Sequence, residues 1–173
     1  MQMLIAGIAA TAGTLAISFF WRLGRQPYKN RRKCNDDLTE FFQLFLSDGR
    51  PGAHLFIDIP SIDGFLQFVR WDSRDFRCDF PDAEWSRRYF ERAVGCAQEI
   101  QIPYRIQTTD RTDTTRFLTV KFSGNIDKAK LFIRCVFQKV FELPEETPIL
   151  LWFENVDVVV RSQRNKQKAT GGV

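Results

Sequence analysis

The alternation of apolar and polar positions divides this chain into three kinds of segment. Met1 to Trp21 contains no charged residue, whereas the twelve residues from Arg22 to Lys33 contain six. From Asn35 the periods change to those of helices and strands. Asn35-Asp36-Asp37 offers a helix cap, and Leu38, Phe41, Phe42 and Phe45 recur at the spacing of one helical face. Ser47 to Gly52 ends that helix. Three strand-like runs follow: Leu55 to Ile59, Phe65 to Trp71, and Phe76 to Phe80, separated by Pro60, by Asp72 to Asp75, and closed by Pro81.

Asp82 is placed to cap a second helix reaching about Glu99, with Trp85, Tyr89, Ala93 and Cys96 along one stripe. Tyr104 to Thr108 and Phe117 to Phe122 read as strands on either side of the polar stretch Thr109 to Thr115. Ser123-Gly124-Asn125 turns the chain into a third helix, about Ile126 to Glu142. Its apolar face carries Ala129, Ile133, Val136, Phe137 and Val140, and Leu143-Pro144 ends it. Ile149 to Val160 is β-branched and apolar, and reads as one or two more strands. The polar, basic end from Arg161 to Val173 reads as a disordered tail. The order is α-βββ-α-ββ-α with a strand-like extension. It predicts an α+β domain over residues 34–160, an antiparallel sheet with helices packed on one face.

The uncharged start predicts something different. A helix rises ~1.5 Å per residue, so ~20 apolar residues cross a hydrocarbon core of ~30 Å. Residues 1–21 meet that length as a transmembrane helix, and Trp21 stands where an interfacial aromatic belongs. A cleaved signal peptide would have a positive start and a small-residue cleavage site, and the chain instead runs Phe19-Phe20-Trp21-Arg22. Residues 22–33 form a basic juxtamembrane collar, with Arg22, Arg25, Lys29, Arg31, Arg32 and Lys33 at the membrane surface. All six lie on the C-terminal side of the span, so the positive-inside rule predicts a single-pass membrane protein with a cytoplasmic C-terminal domain. The membrane would be a bacterial inner membrane, or the mitochondrial outer membrane in a eukaryote.

Charge changes the picture of partners. The 173-residue chain has a net charge of +4, yet all 21 acidic residues lie between Asp36 and Asp157. Between collar and tail, fifteen basic residues face those 21 acidic ones, a balance of −6. The body is acidic, so a basic pI does not argue for nucleic acid as a partner. Cys34, Cys78, Cys96 and Cys135 are widely spaced, form no CxxC pair and do not suggest zinc. Cys96 and Cys135 fall in helical apolar patterns and read as small core residues, which a cytoplasmic body would keep reduced. An oxidising compartment would allow disulfides instead.

Candidate chemistry is sparse. His54 is the sole histidine, set near a strand start with no nucleophile signature to serve. Asp72, Asp75, Asp79, Asp82 and Glu84 are interleaved with Arg70, Arg74 and Arg77, which points to a solvated hairpin with cross-strand ion pairs before a cation site. No catalytic residue, metal site or cofactor is expected.

The stretch Phe117-Leu-Thr-Val-Lys-Phe-Ser-Gly-Asn-Ile-Asp-Lys-Ala, continued by Val136-Phe-Gln-Lys-Val-Phe-Glu-Leu-Pro144, resembles the last-strand, turn and last-helix segment of type III secretion chaperones. The element order from Asn35 to Pro144 is similar to that fold and to its YbjN-like relatives. The resemblance implies a chaperone-like, protein-binding fold and admits a homodimer. The sequence therefore predicts a membrane-anchored, non-enzymatic protein-interaction domain, whose partners are the lipid bilayer and a protein. A lipid- or small-ligand-binding domain with a Phe-lined pocket is the first alternative, and a hydrolase or nuclease the second.

Overall fold

The computed structural model describes residues 30–72, 75–108 and 115–156. The expected anchor, the first part of the collar and the basic tail lie outside these residues. Among the described residues, no helix is long and apolar enough to cross a membrane.

The first strand, β1 (Asn30–Lys33), precedes helix α1 (Thr39–Asp48). Three strands follow: β2 (Gly49–Ile59), β3 (Gly64–Arg70) and β4 (Phe76–Pro81), with a short 3-10 turn, Pro60–Ile62, between the first two. Helix α2 (Arg87–Glu99) leads to the hairpin of β5 (Tyr104–Thr108) and β6 (Arg116–Lys121). Helix α3 (Ile126–Cys135) widens into a π-type turn, Val136–Val140, before β7 (Pro148–Val156). All seven strands join one antiparallel sheet in the order β1-β7-β2-β3-β4-β6-β5.

The predicted α-βββ-α-ββ-α succession and its strand-like extension are present within this order, and the structure adds a strand at the start. β1 takes in Arg31, Arg32 and Lys33, three residues expected in the collar. Four residues dominated by charge show no apolar alternation, yet an edge strand needs only one partner and tolerates solvated side chains. The extension after Pro144 becomes β7, which inserts between β1 and β2 rather than adding at an edge.

Each helix starts for a local reason. The Asp37 carboxylate accepts from the Thr39 amide at 3.1 Å and hydroxyl at 2.8 Å, which anchors the entry to α1. Asn125 accepts from the Lys128 amide at 2.9 Å and so caps α3. The expected cap at Asp82 is corrected. Its carboxylate is drawn to Arg116, 2.8 Å away, and the chain makes a turn before α2. Ser86 organises that turn, accepting from the Ala83 amide at 3.0 Å and donating to the Pro81 carbonyl at 2.5 Å.

At the other end of α1 the expected breaker, Ser47 to Gly52, contributes the start of β2 instead of a loop. Gly49 makes that junction possible, because a Cβ there would collide with the Phe45 carbonyl oxygen. Arg70, buried beneath, donates to the carbonyls of Phe45, Gly49 and Asp72 and satisfies the open end of α1.

The core lies between the helices and one face of the sheet. Leu55 and Ile57 of β2, Leu66 and Phe68 of β3, Phe76, Cys78 and Phe80 of β4, Leu118 and Val120 of β6, and Leu151 of β7 are almost fully buried there. Each helix reaches this face through a ring: Phe42 is 5.0 Å from Phe68, Phe90 is 6.4 Å from Phe80, and Phe132 is 5.9 Å from Phe122. The phenylalanines pack on one another, which uses their surface as core. Cys96 and Cys135 are buried as expected, at 2% and 8% exposure, but they are joined in a disulfide between α2 and α3. Their separation of 39 residues conceals a pairing that only the docking of the two helices creates.

Candidate interaction surface

Among the described residues the helices pack on one face of the sheet, and alternation along each strand dictates what the second face carries. An aromatic row crosses it. Phe56 stacks on Trp152 with centroids 3.9 Å apart, and Phe65 stands 6.3 Å from Phe56. The Trp152 indole donates to the Asp58 carboxylate at 3.0 Å. A polar row runs beside it. Gln67 donates to Nδ1 of His54 at 2.8 Å. Gln67 faces Asp79 in register, and Asp79 accepts from the Thr119 hydroxyl at 2.8 Å and from Arg77 at 2.9 Å. The Arg77 guanidinium lies over the ring of Trp71, which is 66% exposed.

These polar groups engage one another. His54 is placed mid-strand rather than at a strand start, and burial pushes its imidazole pKa down. Its hydrogen-bond partner is the Gln67 side-chain amide, which is not a nucleophile. The acidic hairpin resolves into individual partnerships. Asp79 pairs within its own strand with Arg77, Asp82 pairs with Arg116, and Asp72 accepts from the Asp75 amide at 2.8 Å. Arg70 turns inward to the end of α1. Arg74 lies outside the described residues. Among the described residues, no three His, Cys, Asp or Glu side chains gather as a group able to hold a metal ion.

A recess of about 270 Å³ opens beside α3, lined by Cys34, Arg134, Phe137 and Leu143 among others. Burial pushes the Cys34 thiol up to about 11, which keeps it protonated and poorly nucleophilic at neutral pH.

The collar residues are divided by the structure. Arg22, Arg25 and Lys29 lie outside the described residues. Arg31 is exposed on β1, while the Arg32 guanidinium sits 5.0 Å from the centroid of the Phe41 ring. Lys33 pairs with Glu146, which raises the lysine pKa and lowers that of the carboxylate. Its amide donates to Asp36 at 2.8 Å. Arg32 and Lys33 are thus tied into the sheet and its flanking loops.

The sequence marks Tyr104 to Thr108 as a strand, and the structure adds where that strand, β5, lies in the sheet. Among the described residues it forms one edge of the sheet, paired with β6 alone, and all five of its residues are exposed. The Lys121 amide donates to the Pro103 carbonyl at 2.9 Å, and the register continues as Arg105 opposite Thr119 and Gln107 opposite Phe117. In an antiparallel ladder every second residue bonds inward, so Tyr104, Ile106 and Thr108 point their main-chain amides and carbonyls outward. The side chains of Tyr104 and Ile106 remain 37% and 45% exposed. Alternation in Tyr-Arg-Ile-Gln-Thr looks like a half-buried strand. Its brevity was the available signal, since short strands are typical of sheet edges.

No family model, no curated protein and no solved structure matches this chain.

Proposed function

We propose that this protein is a non-enzymatic interaction module, held at a membrane by residues 1–21, that takes an extended segment of a protein partner onto the β5 edge as an eighth strand. The supporting observation is the edge itself. Three outward-facing peptide groups sit beside two exposed apolar side chains, Tyr104 and Ile106, and the strand contains no proline or lysine to block pairing. Main-chain bonds would supply affinity, and the apolar ledge would select the incoming residues. The charge-free span and the basic residues that follow it support the membrane location.

Site-specific photocrosslinking in native membranes tests this reading. A crosslinker at Ile106 should capture a protein partner, and one at Leu131, comparably exposed at 51% on α3, should not. Ile106→Pro removes one outward amide without touching an inward bond, so it should abolish capture from a crosslinker at Tyr104 and leave the melting midpoint unchanged. Equal capture at Ile106 and Leu131, or capture insensitive to the proline, would refute strand addition at β5.

A further inference from the structure

The Cys96–Cys135 disulfide bears on which side of a membrane the folded domain occupies. It joins α2 to α3 with Cα atoms 5.9 Å apart, and it closes a loop that contains the whole β5–β6 hairpin. Nearby, exposed ion pairs link α2 to the π-type turn and the residues after it, Arg92 with Glu142 at 2.6 Å and Glu99 with Lys139. Pairs of that kind contribute little in water. Beside the apolar packing, the disulfide is the covalent connection along this seam.

Both half-cystines are buried, at 2% and 8% exposure. A bulky oxidant has no route to the sulfurs once the helices have docked. The bond must form while the domain folds, in the compartment where folding takes place. Disulfides form and persist in oxidising compartments and are rare in reducing ones. The other two cysteines are suited to the same surroundings. Cys78 is fully enclosed by the sheet and the helices, and Cys34 is half-buried with its thiol held protonated. Neither readily attacks the bridge to reshuffle it.

We propose that the domain folds and resides in an oxidising compartment, where a protein or low-molecular-weight disulfide installs the Cys96–Cys135 bond. One cysteine, as thiolate, attacks the oxidant's disulfide and forms a mixed disulfide, releasing the first oxidant sulfur as thiolate. The second cysteine then attacks the protein sulfur of that mixed disulfide and displaces the second oxidant sulfur. The S–S bond forms, two electrons pass to the oxidant, and the two protons lost by the cysteines end on its thiols. This placement is opposite to the one the charge bias around residues 1–33 suggests. It stands independently of the β5 edge.

The test counts thiols in the full-length protein, acid-quenched directly in the cells that produce it. Denatured and treated with a polymer-linked maleimide, the chain should carry two adducts before reduction and four after it. The double variant Cys96→Ser/Cys135→Ser should carry two in both cases. The count is made on unfolded chain, so the variant need not fold to be informative. Four adducts before reduction would overturn the proposal. So would a prereduction count of two that falls to none in the double variant, since the bond would then join Cys34 to Cys78. In sealed native membranes, protease should reach the domain only from the oxidising side. Digestion from the reducing side alone would overturn the compartment assignment even with the bond present.

Discussion

Removing the ring of Phe76 is the sharpest test of the packing. Phe76 begins β4, is fully buried and stands at the centre of an aromatic cluster. Its centroid lies 5.3 Å from Phe42, 6.1 Å from Phe45, 6.3 Å from Phe68 and 5.2 Å from Phe122. These neighbours belong to α1, β3 and the segment after β6, each held by its own backbone bonds. They cannot close together over a void. Truncation of a buried Phe to Ala costs ~3–5 kcal/mol, and the cost rises with the cavity that remains. Aromatic pairs add ~0.5–1.5 kcal/mol beyond their buried area. Phe76→Ala should therefore fall near ~5 kcal/mol, a large part of the ~5–15 kcal/mol that stabilises a domain. At ~2–4 °C per kcal/mol, the midpoint should drop by at least about 10 °C. The assay is near-ultraviolet circular dichroism of the full-length protein in detergent, heated alongside Leu131→Ala. Leu131 is half-exposed on α3, and its truncation should change stability by less than ~0.5 kcal/mol. A Phe76→Ala midpoint no lower than that of Leu131→Ala would refute the aromatic core.

Two further perturbations probe local features. Asn125→Ala removes the side chain that accepts from the Lys128 amide, so the melting midpoint should report a loss of ~1 kcal/mol, recovered by Asn125→Ser; no loss would mean that water or another group caps α3. His54 is held below its ordinary pKa of 6.5, chiefly by burial and also by Arg77, against the pull of Glu154 and Asp79. The unfolded chain therefore takes up this proton more readily than the native one. Stability from His54 is complete above about pH 6.5 and declines as the pH falls towards the lower native value. Denaturant midpoints at pH 7.5 and 5.5 should differ more for the wild type than for His54→Gln. Asp37 and Glu146, whose carboxyl pKa values are lowered, act only in more acid solution. Equal slopes for the two proteins would show that His54 is protonated as easily in the fold as out of it.

The sequence by itself determined most of the elements, β1 excepted. Phe41, Phe42 and Phe45 at helical spacing, the turn Ser123-Gly124-Asn125, and the alternation in β2, β4 and β6 are local signals, because backbone period and capping act over a few residues. They place α1, α3 and the central strands close to where the structure has them. Determining which elements touch required the tertiary structure. The insertion of β7 between β1 and β2, the pairing of Cys96 with Cys135, and the capture of Asp82 by Arg116 all join residues far apart along the chain. Such contacts follow from how faces dock, which no local pattern encodes. The candidate site shows the same division. Tyr104 to Thr108 is legible as a strand from its alternating residues, but its position at the sheet edge follows from β6 pairing with β4 on its other side. Among the described residues, that neighbour relation leaves the outward peptide groups of β5 unpaired in the ladder and its apolar side chains exposed.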